Sequence, residues 1–308
     1  MSAMTSPFER DLQAYGPDAV YPTPTAAEAL AFCQRFARAH YENFTVASLL
    51  LPRHLVPHFH VLYSYCRWAD DLGDETGDRA LGLLQWWRTE LERCYDGAPR
   101  HPITVALVPT IRRFGIPRQP FLDLITAFEQ DQTVPRYDTY AQLEDYCRFS
   151  ANPVGRLVLY LCECFDDQRA TLSDDVCTGL QLANFWQDVN RDLDIGRIYL
   201  PAEDRKRFGY SDDDLAQRRF TPAFRDLMRF EVDRARGLFE RGLALVPLVP
   251  RRVQPDIELF ARGGLAILRN IEAIDYNVWR TRPEVSKREK LGLLARVVVQ
   301  KCRNWFPG

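Results

Sequence analysis

The stretch "GLQLANFWQDVNRDLDIGRIYLP", residues 179–201, places acids at regular intervals within an apolar helical pattern. Asn184, Asp188 and Asp192 are spaced by four residues, so a helix carries their oxygen atoms on one side, with Gln181 one turn earlier. The residues between them are apolar: Leu180, Leu182, Phe185, Trp186, Val189 and Leu193. A helix this apolar is not fully exposed, and buried carboxylates are costly without partners. The stretch therefore predicts a helix whose acids meet a metal ion or arginine side chains.

A second acidic stretch, "YSYCRWADDLGDE", covers residues 63–75. Asp70 and Asp74 are four residues apart, and Arg67, Asp71 and Asp74 form a second row on the same helix. Such a cluster on its own is usually a solvated helix face. Two such helices in one chain favour a Mg²⁺ site, because Mg²⁺ takes carboxylates together with water and substrate phosphates. Bound there, it would hold a diphosphate in an acidic pocket and make it a good leaving group.

Helical periodicity dominates the 308 residues. Proline clusters mark the connections, and there is no hairpin signal, internal repeat or low-complexity linker. We therefore predict one all-α domain over residues 1–308, with an irregular segment at 1–25. The predicted helices lie near 26–40, 44–51, 54–72, 79–95, 103–114, 119–130, 139–164, 172–192, 212–217, 221–244, 252–275 and 286–303.

Composition excludes several classes of function. The net charge is −2, so there is no basic excess to indicate a nucleic-acid partner. The 8 cysteines contain no CxxC pair and the 5 histidines no HExxH, which indicates reduced thiols and no zinc site. No secretory signal and no run of about 18 apolar residues is present. We expect a cytoplasmic protein, with peripheral contact to a membrane surface left open.

Three segments carry a family resemblance. The two acidic stretches resemble the aspartate-rich motifs of the squalene/phytoene synthase family. Between them, "YCRFSANPVGRLVL", residues 146–159, resembles the family segment "YCxxVAGxVG", and the three motifs stand in family order. The resemblance implies a single-domain, all-α isoprenoid synthase fold with a central cavity lined by the two Asp-rich helices. It also implies two or three Mg²⁺ ions and a prenyl diphosphate substrate.

Two differences from phytoene and dehydrosqualene synthases make the resemblance more specific to one branch of the family. Asn152 and Pro153 stand where phytoene and dehydrosqualene synthases carry glycine, and residues 41–48 read "YENFTVAS". Both are similar to the hydroxysqualene synthase branch of bacterial squalene and hopanoid biosynthesis. That branch implies a lyase that ionises presqualene diphosphate and captures the rearranged cation with water, without NADPH. The product would pass to the membrane or to other enzymes of the pathway.

Two alternatives stay open from the sequence. One is head-to-head condensation of prenyl diphosphates, giving presqualene diphosphate, dehydrosqualene or phytoene. The other is a prenyl-binding assembly factor without activity, which the intact acid pairs on both helices disfavour.

The resemblance and the spacing together give candidate site residues. The predicted Mg²⁺ ligands are Asp70, Asp74, Asp188, Asp192 and Asn184. The predicted substrate and diphosphate contacts are Arg67, Arg191, Arg197, Tyr41, Asn184, Gln181 and Tyr276. The aromatic residues predicted to face the carbocation are Tyr65, Tyr146 and Phe44. Each has an ordinary alternative, an ion pair for the arginines and core packing for the aromatic rings.

Asn152 is the most specific candidate. Pro153 should kink the helix predicted at 139–164, since it removes one backbone hydrogen bond. We hypothesise that Asn152, with the carbonyl freed near Phe149, holds the water that quenches the cation. The alternative is that Asn152 caps the restarted helix. Arg156, one turn later, is either a diphosphate contact or a bystander.

Overall fold

The computed structural model describes residues 6–39 and 52–295. Over these ranges the chain is helical, and the only β pairing is an isolated bridge between Arg136 and Ile198. The all-α prediction is confirmed. In chain order the α-helices are α1 (Pro7–Tyr15), α2 (Ala26–Ala39), α3 (Val56–Asp74), α4 (Ala80–Asp96), α5 (Pro102–Phe114), α6 (Gln119–Asp131), α7 (Tyr140–Ser150), α8 (Asn152–Leu161), α9 (Asp167–Asp194), α10 (Ala202–Arg207), α11 (Asp212–Ala216), α12 (Pro222–Gly242) and α13 (Gln254–Ala273).

Short 3₁₀ helices cover Gly77–Arg79 and Leu243–Leu248, and residues 287–295 are also helical. Within the described ranges, none of the helices combines the length and the apolar character needed to span a bilayer.

Three helix predictions are wrong in part. The segment 1–25 was expected to be irregular, yet α1 forms there because Ser6 caps it, its Oγ accepting from the Glu9 amide at 3.0 Å. The predicted helix 139–164 is two helices, and Pro153 lies in the first turn of the second, where its missing N–H costs nothing. Helix α10 was missed because its charged sequence, "AEDRKR", has no apolar periodicity. The predicted helix 44–51 lies outside the described residues.

Over the described residues the chain divides into two compact units, residues 6–39 with 52–133 and residues 134–295. In the first unit, α3 packs against α2, α4, α5 and α6. Its core is rich in aromatic rings: Trp68 and Trp87 are completely buried, with centroids 6.0 Å apart. The buried His101 lies 4.5 Å from Trp68 and caps α5, its Nδ1 accepting from the Ile103 amide at 3.1 Å. The neutral imidazole this requires agrees with burial lowering the pKa of His101 to about 3.

The second unit is built around α9, the longest helix of the described residues, which packs against α8, α12 and α13. Trp186 of α9 is completely buried, and its Nε1 donates to the backbone carbonyl of Glu231 on α12 at 3.1 Å. Gly155 of α8 lies so near α9 that a Cβ would stand 2.3 Å from Ser173 Oγ and 2.5 Å from Cys177 Sγ. These contacts fix the rotation of α9, and so the direction in which its acids point.

Candidate active site

The first acidic cluster lies at the C-terminal end of α3. Arg67 donates to Asp70 at 2.9 Å and pairs with Asp71 one turn later. Asp71 is completely buried, and this burial raises the pKa of its carboxyl to about 7 against the opposing effect of Arg67. Asp70 is partly exposed and Asp74 is exposed. The α3 cluster therefore combines one buried, arginine-paired acid with two acids at the surface of the unit.

The ion pairs of Arg67 are the ordinary alternative weighed for this residue, and they are present. Its phosphate contact stays a prediction. Tyr65, predicted to face the carbocation, is completely buried in the first unit, and its hydroxyl donates to the Phe121 carbonyl at 3.3 Å. The Tyr65 ring stacks on the ring of Trp87, with the two centroids 5.3 Å apart. These contacts are those of a core residue, because the polar end is already occupied.

The second acidic cluster lies on the last turns of α9. Both oxygens of Asp188 accept hydrogen bonds from Arg282, whose Nε lies at 2.6 Å and Nη2 at 2.9 Å. Arg191, predicted to contact the diphosphate, is mostly exposed and lies 3.9 Å from Asp188. Arg282 was not among the predicted residues. It follows Asp188 by 94 positions in a proline-containing connection, so no periodic pattern links the two.

Asp192 lies one turn after Asp188 and carries a perturbed carboxyl. Burial raises its pKa to about 7, the neighbouring Asp188 charge adds to the rise, and Arg197 opposes it. The Asp188 charge therefore disfavours the charged form of Asp192, and a cation beside Asp192 would favour it. Further back on α9, Asn184 is exposed and Gln181 is partly buried.

A tight turn after α9 brings the chain back beside its own acids. Gly196 has a φ of +78°, in the left-handed region that favours glycine. The turn allows the Arg197 amide to donate to the Asp192 carbonyl at 2.8 Å, and the Ile198 amide then donates to the Pro135 carbonyl at 2.7 Å. The "GRIYLP" segment is thereby held against the chain that precedes α7.

This pairing assembles an aromatic cluster of four rings, Tyr137, Tyr146, Phe185 and Tyr199. The rings of Phe185 and Tyr199 stack face to face with their centroids 3.7 Å apart. The ring centroid of Tyr146 lies 6.2 Å from each of theirs. Tyr137 lies 5.6 Å from Tyr146. Tyr137 and Tyr199 were not among the predicted residues, because their proximity depends on the β-bridge between two segments that are distant in sequence.

A small cavity of about 10 Å³ is lined by two rings of this cluster, Phe185 and Tyr199, and by Asp192 and Arg197 among others. The volume is close to the space that one water molecule needs. The end of α9 thus places aromatic faces, a carboxylate and an arginine around one point.

Asn152 is buried at the start of α8, and its Oδ1 accepts from the Thr178 hydroxyl of α9 at 2.9 Å. The suggestion that its side chain caps the helix is wrong, since the N-cap residue is Ala151 and no side-chain cap bond forms. Arg156 pairs with Asp174 through Nε at 3.1 Å and Nη2 at 2.6 Å. This pairing is a structural role, and it favours the bystander alternative for Arg156.

Tyr276 lies in a turn after α13 with a φ of +63°, and the Arg229 guanidinium stands 5.6 Å from its ring centroid. Its predicted substrate contact stays a prediction. Tyr41 and Phe44 lie outside the described residues.

The donor atoms of the two clusters fit Mg²⁺. Among the residues the structure describes, no group of three or more His, Cys, Asp or Glu side chains is placed to hold a metal alone. Zinc in structural sites needs about four protein ligands. Mg²⁺ instead uses one or two carboxylates and completes its shell with water and substrate phosphates. The raised pKa of Asp192, to which burial and the neighbouring Asp188 charge contribute, is the observation that fits a cation at α9.

Comparison with known proteins identifies the family. The squalene/phytoene synthase family model matches residues 37–289, which is more than half of the chain. The chain belongs to the squalene/phytoene synthase family. Its fold is similar to a crystal structure of squalene synthase HpnC from Alicyclobacillus acidocaldarius, with a TM-score of 0.80 and 47% identity over 82% of this chain and 96% of that one.

Two further relatives are less similar in sequence. A solved dehydrosqualene synthase in complex with a ligand has a TM-score of 0.81 and 26% identity, covering 89% of this chain and 96% of that one. The 15-cis-phytoene synthase of Synechocystis sp. is 31% identical over 284 residues, covering 88% of this chain and 84% of that protein. The family resemblance inferred from the motifs is confirmed, and with it the assignment to a family of prenyltransferase-type enzymes.

Proposed function

We propose that the protein is a Mg²⁺-dependent hydroxysqualene synthase. It ionises presqualene diphosphate, allows the cation to rearrange, and captures it with water to give hydroxysqualene, diphosphate and a proton. The reaction is redox-neutral, so the proposal requires no nicotinamide. The observation that carries it is Asn152, a buried amide in the segment where phytoene and dehydrosqualene synthases carry glycine. The 47% identity to a squalene synthase, against 31% to a phytoene synthase, supports the same branch.

Asp70, Asp74, Asp188 and Asp192 are the proposed Mg²⁺ ligands, with Asn184 as a further oxygen donor. Bound Mg²⁺ would supply the positive charge that makes diphosphate a good leaving group. Arg197 lies in the small cavity beside Asp192 and is the best placed of the predicted arginines to contact a phosphate oxygen.

The aromatic cluster is the proposed wall for the cation in the second unit. Each aromatic face stabilises a nearby cation by about 0.5–2 kcal/mol. Phe185 and Tyr199 line the small cavity together with Asp192, and Tyr146 packs beside both rings. Because these residues are largely buried, their faces also keep bulk water away from the cation. That exclusion makes a single positioned water the quenching group.

Asn152 is proposed to hold that water. Thr178 already uses one lone pair of the Asn152 amide oxygen, which leaves the second lone pair and the amide N–H groups for a water molecule. Replacing Asn152 with glycine should lower the fraction of alcohol product, since cations not captured by water lose a proton instead. The matched variant Thr178→Val, which frees Asn152 from its partner, should keep alcohol as the main product. An unchanged product ratio in Asn152→Gly would remove the water-holding role.

A second candidate function is the head-to-head condensation of two prenyl diphosphates. The phytoene synthase relatives and the dehydrosqualene synthase neighbour support it. Both reactions begin with the ionisation of an allylic or cyclopropylcarbinyl diphosphate. They differ in whether water or a second prenyl diphosphate captures the cation. Substrate choice therefore separates them: the lyase consumes presqualene diphosphate alone, and the condensing enzyme consumes farnesyl or geranylgeranyl diphosphate.

The proposal includes the route by which the very apolar product leaves the protein. Hydroxysqualene would leave toward a membrane surface or a later enzyme of the same pathway rather than into water. Release that speeds up when lipid vesicles are added to a multiple-turnover assay would support this route, and equal rates with and without vesicles would oppose it.

A further inference from the structure

An extended connection, residues 281–286, lies against α9 and α13, and we call it the strap. Gln187 of α9 is almost completely buried, and its Nε2 donates to the backbone carbonyl of Pro283 at 2.5 Å. Asn270 of α13 donates through Nδ2 to the carbonyl of Glu284 at 2.9 Å. Two side-chain amides, one on each helix, therefore fix two successive carbonyls of the strap.

These anchors place Arg282 on the acid predicted to bind metal. With Pro283 held by Gln187, the guanidinium of Arg282 reaches both oxygens of Asp188, at 2.6 and 2.9 Å. Its remaining nitrogen, Nη1, donates to Glu284 at 2.9 Å. Gln187 and Asp188 are adjacent in sequence, so one turn of α9 holds both the strap and the acid that the strap covers.

The Arg282–Asp188 ion pair combines strong hydrogen bonds with partial exposure to solvent. A bidentate arginine–carboxylate contact has well-defined geometry and is among the stronger side-chain hydrogen bonds. The side chains of Arg282 and Asp188 are 31% and 22% exposed, so water and ions reach both. An oxygen that accepts from Arg282 has fewer lone pairs to offer a cation, and the positive charge also repels one.

We infer that Gln187 is a positioning residue that keeps Arg282 on Asp188, and that Arg282 and a divalent cation compete for this carboxylate. The inference rests on the proposed function, which places a cation at Asp188. In the metal-free protein Arg282 neutralises the α9 acids. When a cation binds Asp188, Arg282 leaves at least one of its oxygens, and the strap loses one of its attachments to α9.

The test measures Mn²⁺ binding to the full-length protein by electron paramagnetic resonance, without substrate. Arg282→Gln should bind Mn²⁺ about fivefold more tightly than the wild type, because the competing partner is gone. Gln187→Met, which removes the anchor and keeps the volume, should change affinity in the same direction by less. Arg280→Gln is the matched control, since Arg280 is an exposed arginine two residues away.

A second readout follows the strap itself. The Arg280–Thr281 bond is a trypsin site next to the strap, whereas the bond after Arg282 precedes proline and resists trypsin. Mn²⁺ should speed cleavage after Arg280 in the wild type, and Gln187→Met should speed it without metal. A strap with a merely structural role would leave the Mn²⁺ affinity unchanged in both variants.

The outcomes separate the two proposals. Mn²⁺ binding that is lost in Asp188→Asn but no tighter in Arg282→Gln overturns the competition and leaves the proposed function standing. Binding weakened in Arg282→Gln also overturns it, because Arg282 would then support the metal site. Absence of Mn²⁺ binding in every protein, or binding unaffected by Asp188→Asn, overturns the metal site of the proposed function and the strap inference together.

Discussion

Arg67 and Asp71, one turn apart on α3, form an ion pair in which the carboxylate is completely buried and the arginine is 35% exposed. Of the acids of the first motif, Asp71 is the one that contributes to the interior of the unit. Asp70, which accepts a hydrogen bond from Arg67, is partly exposed, and Asp74 is exposed.

Removing the arginine of this pair should destabilise the protein. Arg67→Gln leaves the buried Asp71 without its counter-ion, at an expected cost of about 2 kcal/mol, since the partial exposure of Arg67 lessens the penalty of a fully buried pair. Urea unfolding measures it. Arg79→Gln, which breaks the exposed pair with Glu9, is the control and should change stability by less than about 0.5 kcal/mol.

The double variant Arg67→Gln with Asp71→Asn should recover part of the lost stability, because no buried charge then remains. Equal stability of Arg67→Gln and the wild type would show that Asp71 does not depend on this pair.

Substitutions of two different acids on α9 should have very different effects on turnover. Asp188→Asn should lower kcat by several orders of magnitude, because a metal ligand and a charge are lost together. Asp175→Asn, on the same helix and paired with Arg241, should stay within about threefold of the wild type. Steady-state assays with saturating Mg²⁺ distinguish them. Near-normal kcat in Asp188→Asn would contradict the site assignment.

Because α8 and α9 are in close contact at Gly155, a larger side chain there should destabilise the protein. Gly155→Ala places a methyl group against Ser173 and Cys177, and we expect a loss of about 1–3 kcal/mol from overpacking. Gly82→Ala on α4 is the matched control: a Cβ there meets open space, and the change should stabilise by about 0.5–1 kcal/mol. Thermal unfolding of the two variants should therefore shift in opposite directions. Stabilisation by Gly155→Ala would show that the helices are further apart.

A buried acid on α12 should make stability depend on pH. Burial raises the pKa of Glu231 to about 8, Arg234 opposes the rise and Asp204 adds to it. Between the ordinary carboxyl value and about 8, the folded protein holds a proton that the unfolded chain releases. Stability from this group is therefore lost as pH rises through that window.

Glu231→Gln removes this titration and should flatten the fall in Tm between pH 6 and 8. Glu240→Gln, an exposed acid on the same helix, should leave the slope unchanged. A wild-type Tm that rises over this window in parallel with Glu231→Gln would contradict the raised pKa of Glu231.

The sequence predicted what depends on local periodicity. Acids four residues apart on apolar helices identified α3 and α9, whereas the kink expected at Pro153 is a break between two helices. Arg282, Tyr137 and Tyr199 were missed for a common reason. Their roles come from tertiary contacts, the strap on Gln187 and the bridge between Arg136 and Ile198, which join segments with no shared pattern.

The sequence left the role of Tyr65 open between contact with the carbocation and core packing. Spacing along α3 shows which residues share a face, but several faces of this helix are buried. Whether an aromatic ring meets a ligand or Trp87 then depends on the neighbouring helices, which the local sequence does not specify.

A product analysis tests whether the protein makes hydroxysqualene. Purified protein with Mg²⁺ is offered presqualene diphosphate, farnesyl diphosphate and geranylgeranyl diphosphate in separate reactions, with Asp188→Asn as the inactive control, and products are identified by mass. We expect hydroxysqualene from presqualene diphosphate alone and no product without Mg²⁺. A C30 or C40 condensation product from farnesyl or geranylgeranyl diphosphate would contradict it and place the chain among the coupling synthases.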